Sequence, residues 1–200
     1  MAAHVADHMA RTPLLSPGSY FERTGSPSLR TAAIAVVSLV LLSLLATFVS
    51  LVALGAARGG LVGALVATLT QLPLLLVGVL GFWLLVTLVV HLFVRWGDGD
   101  GGFRASLALV GWTLVPLSVP FVVGPLAPLV LYRTIPATPG TAQSTFAVVG
   151  IVGLVAVLVG AVWQAYVCFG GMRHVHHAET PIAAGVSALA AVATLVVFLG

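Results

Sequence analysis

Long uncharged stretches alternate with short polar ones along this chain, and that alternation predicts its elements. A bilayer-spanning helix needs about 20 mostly apolar residues. The run from residue 31 to 57 carries no charge and is bracketed by Arg30 and Arg58, so it predicts a first span. From Gly59 to Val94 there is again no Asp, Glu, Lys or Arg, a run too long for one straight crossing. Proline fits best in the first turn of a helix. The second span is therefore expected over 73–94, starting at Pro73 of "TLTQLP", and 60–72 is expected as a short interfacial or re-entrant helix. The run 105–132 holds Pro116, Pro120, Pro125 and Pro128, which predicts a broken third span that faces protein, where freed backbone groups find partners. "IPATPGTAQS" at 135–144 has the composition of a loop. Residues 146–170 and 181–199 predict the fourth and fifth spans, with "GMRHVHHAET" as the loop between them.

Composition strengthens this picture. Hydrophobic residues make up 60% of the chain, charged residues 6%, and the mean hydropathy is +1.18. So few charges cannot cover a water-soluble globule, and contiguous apolar surface in water aggregates. The expected class is an all-α membrane protein: a polar tail over 1–28 and a five-span membrane domain over 29–200. The tail lacks the apolar core of a signal peptide, and its "LLSPGSYFER" is expected to dock on the membrane surface through Leu14, Leu15, Tyr20 and Phe21.

The net charge of +3 is not a nucleic-acid signature, because the eight arginines are scattered and form no basic stripe. They report topology instead. Six of them (Arg11, Arg23, Arg30, Arg95, Arg104 and Arg173) fall on one side of a five-span arrangement. The positive-inside rule then puts the N-terminus in the cytoplasm and the C-terminus outside, in the plasma membrane. Arginine without lysine, beside abundant Ala, Gly, Val and Leu, is the residue usage of a GC-rich, prokaryotic genome. Cys168 lies in an apolar run and reads as a small core hydrophobe.

Charge is concentrated at one point, "HLFVRWGDGDGGFRASLALVGWTLVP" at 91–116. Gly97, Gly99 and Gly102 match G-x-G-x-x-G, but a dinucleotide site needs a strand before it, and Asp98 and Asp100 would repel a pyrophosphate. "DGDGG" resembles the start of a calcium loop without its closing glutamate. A tight glycine turn kept in water by its charges accounts better for the pattern. His91, Arg95, Asp98, Asp100, Gly101, Gly102 and Arg104 form the candidate cytoplasmic contact turn. His174, His176 and His177 have no cysteine or carboxylate pair beside them, and read as neutral interfacial imidazoles rather than metal ligands. No acid or base lies deep in a span, which argues against proton relays and ion paths. No nucleophile–base or metal constellation marks an enzyme, and no cofactor is implied. Small residues at Gly78, Gly81, Gly150, Gly153 and Gly160 permit close helix packing within or between chains.

Taken in order, "LLSPGSYFE" before the first span, the histidine–glycine–aromatic turn at 91–116, and "VWQAYVCFGGMRHVHHAET" resemble the Yip-one domain family of Ypt/Rab-interacting multi-span membrane proteins. The resemblance runs from about Leu14 to the end of the chain. It implies five spans with the N-terminus inside. For eukaryotic relatives it implies trafficking factors that engage prenylated small GTPases; for prokaryotic relatives it implies no assigned activity. The expected function is a non-enzymatic protein that recruits a membrane or cytoplasmic partner or organises the bilayer. The alternative is a permease or channel-like component for a small neutral or hydrophobic solute, motivated by the proline-rich third span. The expected partners are the lipid bilayer and a protein, with no nucleic acid.

Overall fold

The computed structural model describes residues 12–55, 59–97, 99–134 and 139–199, those of 132–134 and 139–143 by their backbone. It is all-helical, with no strand among the described residues. A short helix, α1 (Pro17–Thr24), precedes α2 (Leu29–Ala53), α3 (Gly60–Trp96) and α4 (Phe103–Thr113). A 3-10 turn at Val115–Leu117 leads into α5 (Ser118–Thr134), followed by α6 (Pro139–Val175) and α7 (Thr180–Leu199). Five of these segments are long and apolar enough to cross a bilayer: α2, α3, α4 with α5, α6 from Ser144, and α7.

Local chemistry sets the helix ends. α1 opens with Pro17 at its first position, where a missing N–H costs nothing, and closes on Gly25 at φ 65°. α2 is capped by Ser28, whose Oγ accepts from the Thr31 N–H at 3.1 Å.

Pro73 does not begin a helix. α3 runs from Gly60 to Trp96 straight through it, so the interfacial helix expected over 60–72 is the first part of α3. In hydrocarbon a proline removes one backbone bond, whereas ending the helix would strand several. At 1.5 Å per residue α3 is about 55 Å long, against a hydrocarbon core of about 30 Å, so it tilts or projects. Likewise α6 begins at Pro139, so much of the loop expected over 135–144 is helix; residues 135–138 lie outside the described residues.

The third span sits centrally. α4 packs on α2, α3 and α6, and α5 packs on α2 and α6. α7 closes the bundle against α6 and α3. Pro116 and Pro120 are buried at the 3-10 turn, while Pro125 and Pro128 lie inside α5. A Cβ on Gly160 would lie 3.1 Å from Pro120 Cδ, so a glycine is what lets α6 approach here. Ser50 Oγ donates to the Pro125 carbonyl at 2.6 Å, and Trp83 Nε1 to the Leu107 carbonyl at 2.9 Å, tying α2 and α3 to the third span. On the outside, Leu74 and Val77 are 78% and 71% exposed, as lipid-facing side chains should be.

The tail segment docks on protein, while the Leu15 side chain stays 59% exposed. α1 packs on α6, and Phe21 is fully buried in the core. Trp163 Nε1 donates to the Leu14 carbonyl at 2.7 Å, and Tyr166 Oη to the Leu15 carbonyl at 3.3 Å. A Cβ on Gly170 would fall 2.7 Å from Pro17 Cβ, so α1 lies directly against the α6 backbone.

Candidate functional site

The start of α2, the end of α3, the start of α4, the end of α6 and the start of α7 converge at one end of the bundle. The glycine turn joins α3 to α4 there. It folds back on itself through the Gly99 N–H, which donates to the Val94 carbonyl at 2.9 Å. It is then fastened to the α6–α7 loop by one residue. The Asp100 N–H donates to the His176 carbonyl at 3.0 Å, and His176 Nδ1 lies 2.8 Å from the Asp100 carbonyl. A carbonyl can only accept, so Nδ1 carries the proton. Nε2 is then left to accept from the Ser106 hydroxyl at 3.3 Å.

Gly101 makes this contact possible. Its φ is +114°, and a Cβ there would lie 2.4 Å from His176 Nδ1. Gly99 is almost as constrained, with a would-be Cβ 3.1 Å from the His176 carbonyl and 3.0 Å from Val94 Cγ1. On the other side, His177 at φ 50° turns the chain, and the Ala178 N–H caps the Met172 carbonyl at 3.1 Å. Two loops whose joined residues, Asp100 and His176, lie 76 apart in sequence thus form one locked unit.

Of the seven candidate turn residues, five are exposed at this end: Arg95, Asp100, Gly101, Gly102 and Arg104. With both its main-chain polar groups held by His176, Asp100 leaves its side chain exposed. His91 lies deeper, half-buried, with its ring edge-on to Phe103 at 5.6 Å and Nδ1 buried without a partner. Asp98 lies outside the described residues. His176, which the sequence pattern placed among neutral interfacial imidazoles, is instead fully buried and is the fastening point. Its contacts lie far away in the chain, so no local spacing marks it. Arg173 donates to Thr180 Oγ1 across the same loop.

Ser106, His176 and the Asp100 carbonyl line up like a nucleophile–base–orienter relay. Both side chains are fully buried and the third member is a main-chain carbonyl, so a substrate has no approach. The arrangement is a clamp. Among the described residues, no three His, Cys, Asp or Glu side chains are grouped to hold a metal ion.

Burial pushes the His176 imidazole below its ordinary value. The Asp100 carbonyl opposes this, and the charges of His91 and His177 add to it. The folded state therefore holds His176 neutral where the unfolded chain would bind a proton. Its stabilising contribution is complete above pH about 6.5 and is lost as pH falls from there towards the depressed folded value. Thermal unfolding in detergent is expected to show falling stability from pH 7 to 5, and His176→Gln is expected to flatten that slope. An unchanged slope in the variant would place the acid sensitivity elsewhere.

The family model described as Yip1 domain matches residues 12–200, nearly the whole chain. Neither a curated protein nor a solved structure matches.

Proposed function

The chain belongs to the Yip1 domain family of membrane proteins, and from that premise we propose that it is a non-enzymatic plasma-membrane protein that recruits a protein partner through its glycine turn. One observation carries this reading: the turn is fastened from beneath by His176 while Arg95, Asp100 and Arg104 are exposed. A rigid turn presenting charge lowers the ordering cost of binding. A turn serving only to reverse the chain would not require a second loop to hold it. With the positive-inside assignment, this end faces the cytoplasm.

The test is affinity capture from gently solubilised membranes. Wild type is expected to retain a specific protein that the double variant Asp98→Ala, Asp100→Ala loses, with unchanged thermal stability. Identical capture by both would reduce the turn to a connection.

A second reading, a permease-like component, is supported by a cavity of about 350 Å³ between α2, α3, the third span and α7. Its apolar wall includes Leu114, Phe121 and Phe198, with Ser43, Thr47 and Gln71 as polar members. That composition suits a small neutral or hydrophobic solute. Solute flux in proteoliposomes, altered by replacing Pro116 or Pro120, would favour it over recruitment.

A further inference from the structure

Two separate cavities lie one after the other along α2, each bordered by the third span. At the polar end, a cavity of about 410 Å³ is lined by Ser28, Arg30, Gly102, Arg104 and Ala105 among others. Neither Arg30 nor Arg104 has a carboxylate partner among the described residues, although they line one cavity. Two cations facing one space repel unless an anion lies between them. The start of α4 adds to this. Its N-cap is Gly102, which offers no side-chain cap, and a Cβ there would meet nothing within 4 Å. The Ala105 and Ser106 N–H groups are taken up by the Gly102 carbonyl at 2.9 and 3.3 Å, so only the N–H groups of Phe103 and Arg104 remain for an anion at the start of α4.

The next turns of the same two helices line a second cavity, of about 550 Å³. Ile34, Ser38 and Leu42 follow Arg30 at successive i+4 steps, on one face of α2. Trp112 of α4 and Val115 of the 3-10 turn supply the opposite side, and Tyr20 of α1 borders it. From Arg30 to Leu42 is about 18 Å along the helix, close to the roughly 15 Å depth of one leaflet.

We propose that these two cavities together bind one anionic phospholipid. Its headgroup phosphate sits between Arg30 and Arg104 at the start of α4, and one acyl chain occupies the crevice below. Charge selects the headgroup, and the second cavity, in the apolar layer, selects a lipid over a soluble phosphate. This site shares Arg104 with the recruiting reading but needs neither Asp98 nor Asp100, so the Asp98→Ala, Asp100→Ala variant tests recruitment and leaves the lipid site intact.

The test is native mass spectrometry of the full chain released from nanodiscs of equal phosphatidylglycerol and phosphatidylcholine. Wild type is expected to retain phosphatidylglycerol preferentially. At about 1 kcal/mol per arginine near a membrane surface, Arg30→Gln with Arg104→Gln should cut that retention roughly ten- to thirtyfold. Both side chains are exposed, so the core is untouched by these changes. Ala35→Phe, which fills the crevice and keeps both arginines, should also weaken it. Equal retention of the two lipids, or retention unchanged in the double variant, would overturn the proposal. Displacement of the lipid by millimolar glycerol phosphate in wild type would overturn the lipid assignment in favour of a soluble anion.

Discussion

Replacing His176 with alanine is expected to free the glycine turn and destabilise the bundle by about 3 kcal/mol. Three losses combine. The Asp100 carbonyl and the Ser106 hydroxyl lose their partner, and a fully buried ring leaves a void beneath Gly101. Ser106 bears the larger penalty because it is fully buried, whereas water can reach the exposed Asp100. The effect should concentrate at the turn. Hydrogen exchange at the Gly99 and Asp100 amides is expected to accelerate by about a hundredfold, while amides in mid-α6 change far less. His176→Gln, which can present both a donor and an acceptor, should recover part of the protection. Unchanged exchange at Asp100 in the alanine variant would mean that the clamp does not hold the turn.

Gly111→Val is expected to cost about 2–3 kcal/mol through overpacking. A Cβ at Gly111 would lie 2.8 Å from Ala32 Cβ and 3.1 Å from Trp83 Cζ2. Neither neighbour can yield easily. Ala32 is fully buried on α2, and Trp83 is held by its bond to the Leu107 carbonyl. The variant must push α2 away or break that bond, so its tryptophan fluorescence should shift along with its unfolding midpoint. The pair Ala32→Gly with Gly111→Ala should recover most of the stability, since it moves the methyl group from one helix to the other. If Gly111→Val melts like wild type, the α2–α4 contact is looser than these distances require.

Spans were legible from the sequence where the bilayer imposes its own rule. A helix in lipid must satisfy every backbone group internally, so long uncharged runs such as 31–53 and 181–199 can be little else. Proline and glycine misled where rules learned in water were applied. Pro73 and the Pro139–Ser144 stretch look like boundaries, yet both lie within long helices. The tail is a different case. Its apolar residues predicted burial, which Phe21 meets, but no local pattern distinguishes a membrane surface from the face of α6 as the partner.

The candidate turn was found by its charge and glycines, both local signals. Its fastening was not, because Asp100 and His176 lie 76 residues apart in sequence. The positive φ of Gly101 is the trace that this contact leaves locally, and it is invisible among three other glycines in "GDGDGG". A cluster of histidines after a span invites thoughts of metal or pH. The structure singles out one of the three, His176, by burying it, while His177 stays exposed and His174 lies beside Gly18 of α1.

The central claim is that the clamped turn is a contact surface and not merely a connection. The most direct measurement is site-specific photo-crosslinking in native membranes, with the probe at Asp100 and, as control, at the lipid-facing Val77. A discrete crosslinked protein at Asp100 that disappears in the His176→Ala background, with only diffuse lipid adducts from Val77, is the predicted result. No protein adduct at Asp100 beyond a second copy of this chain would contradict it.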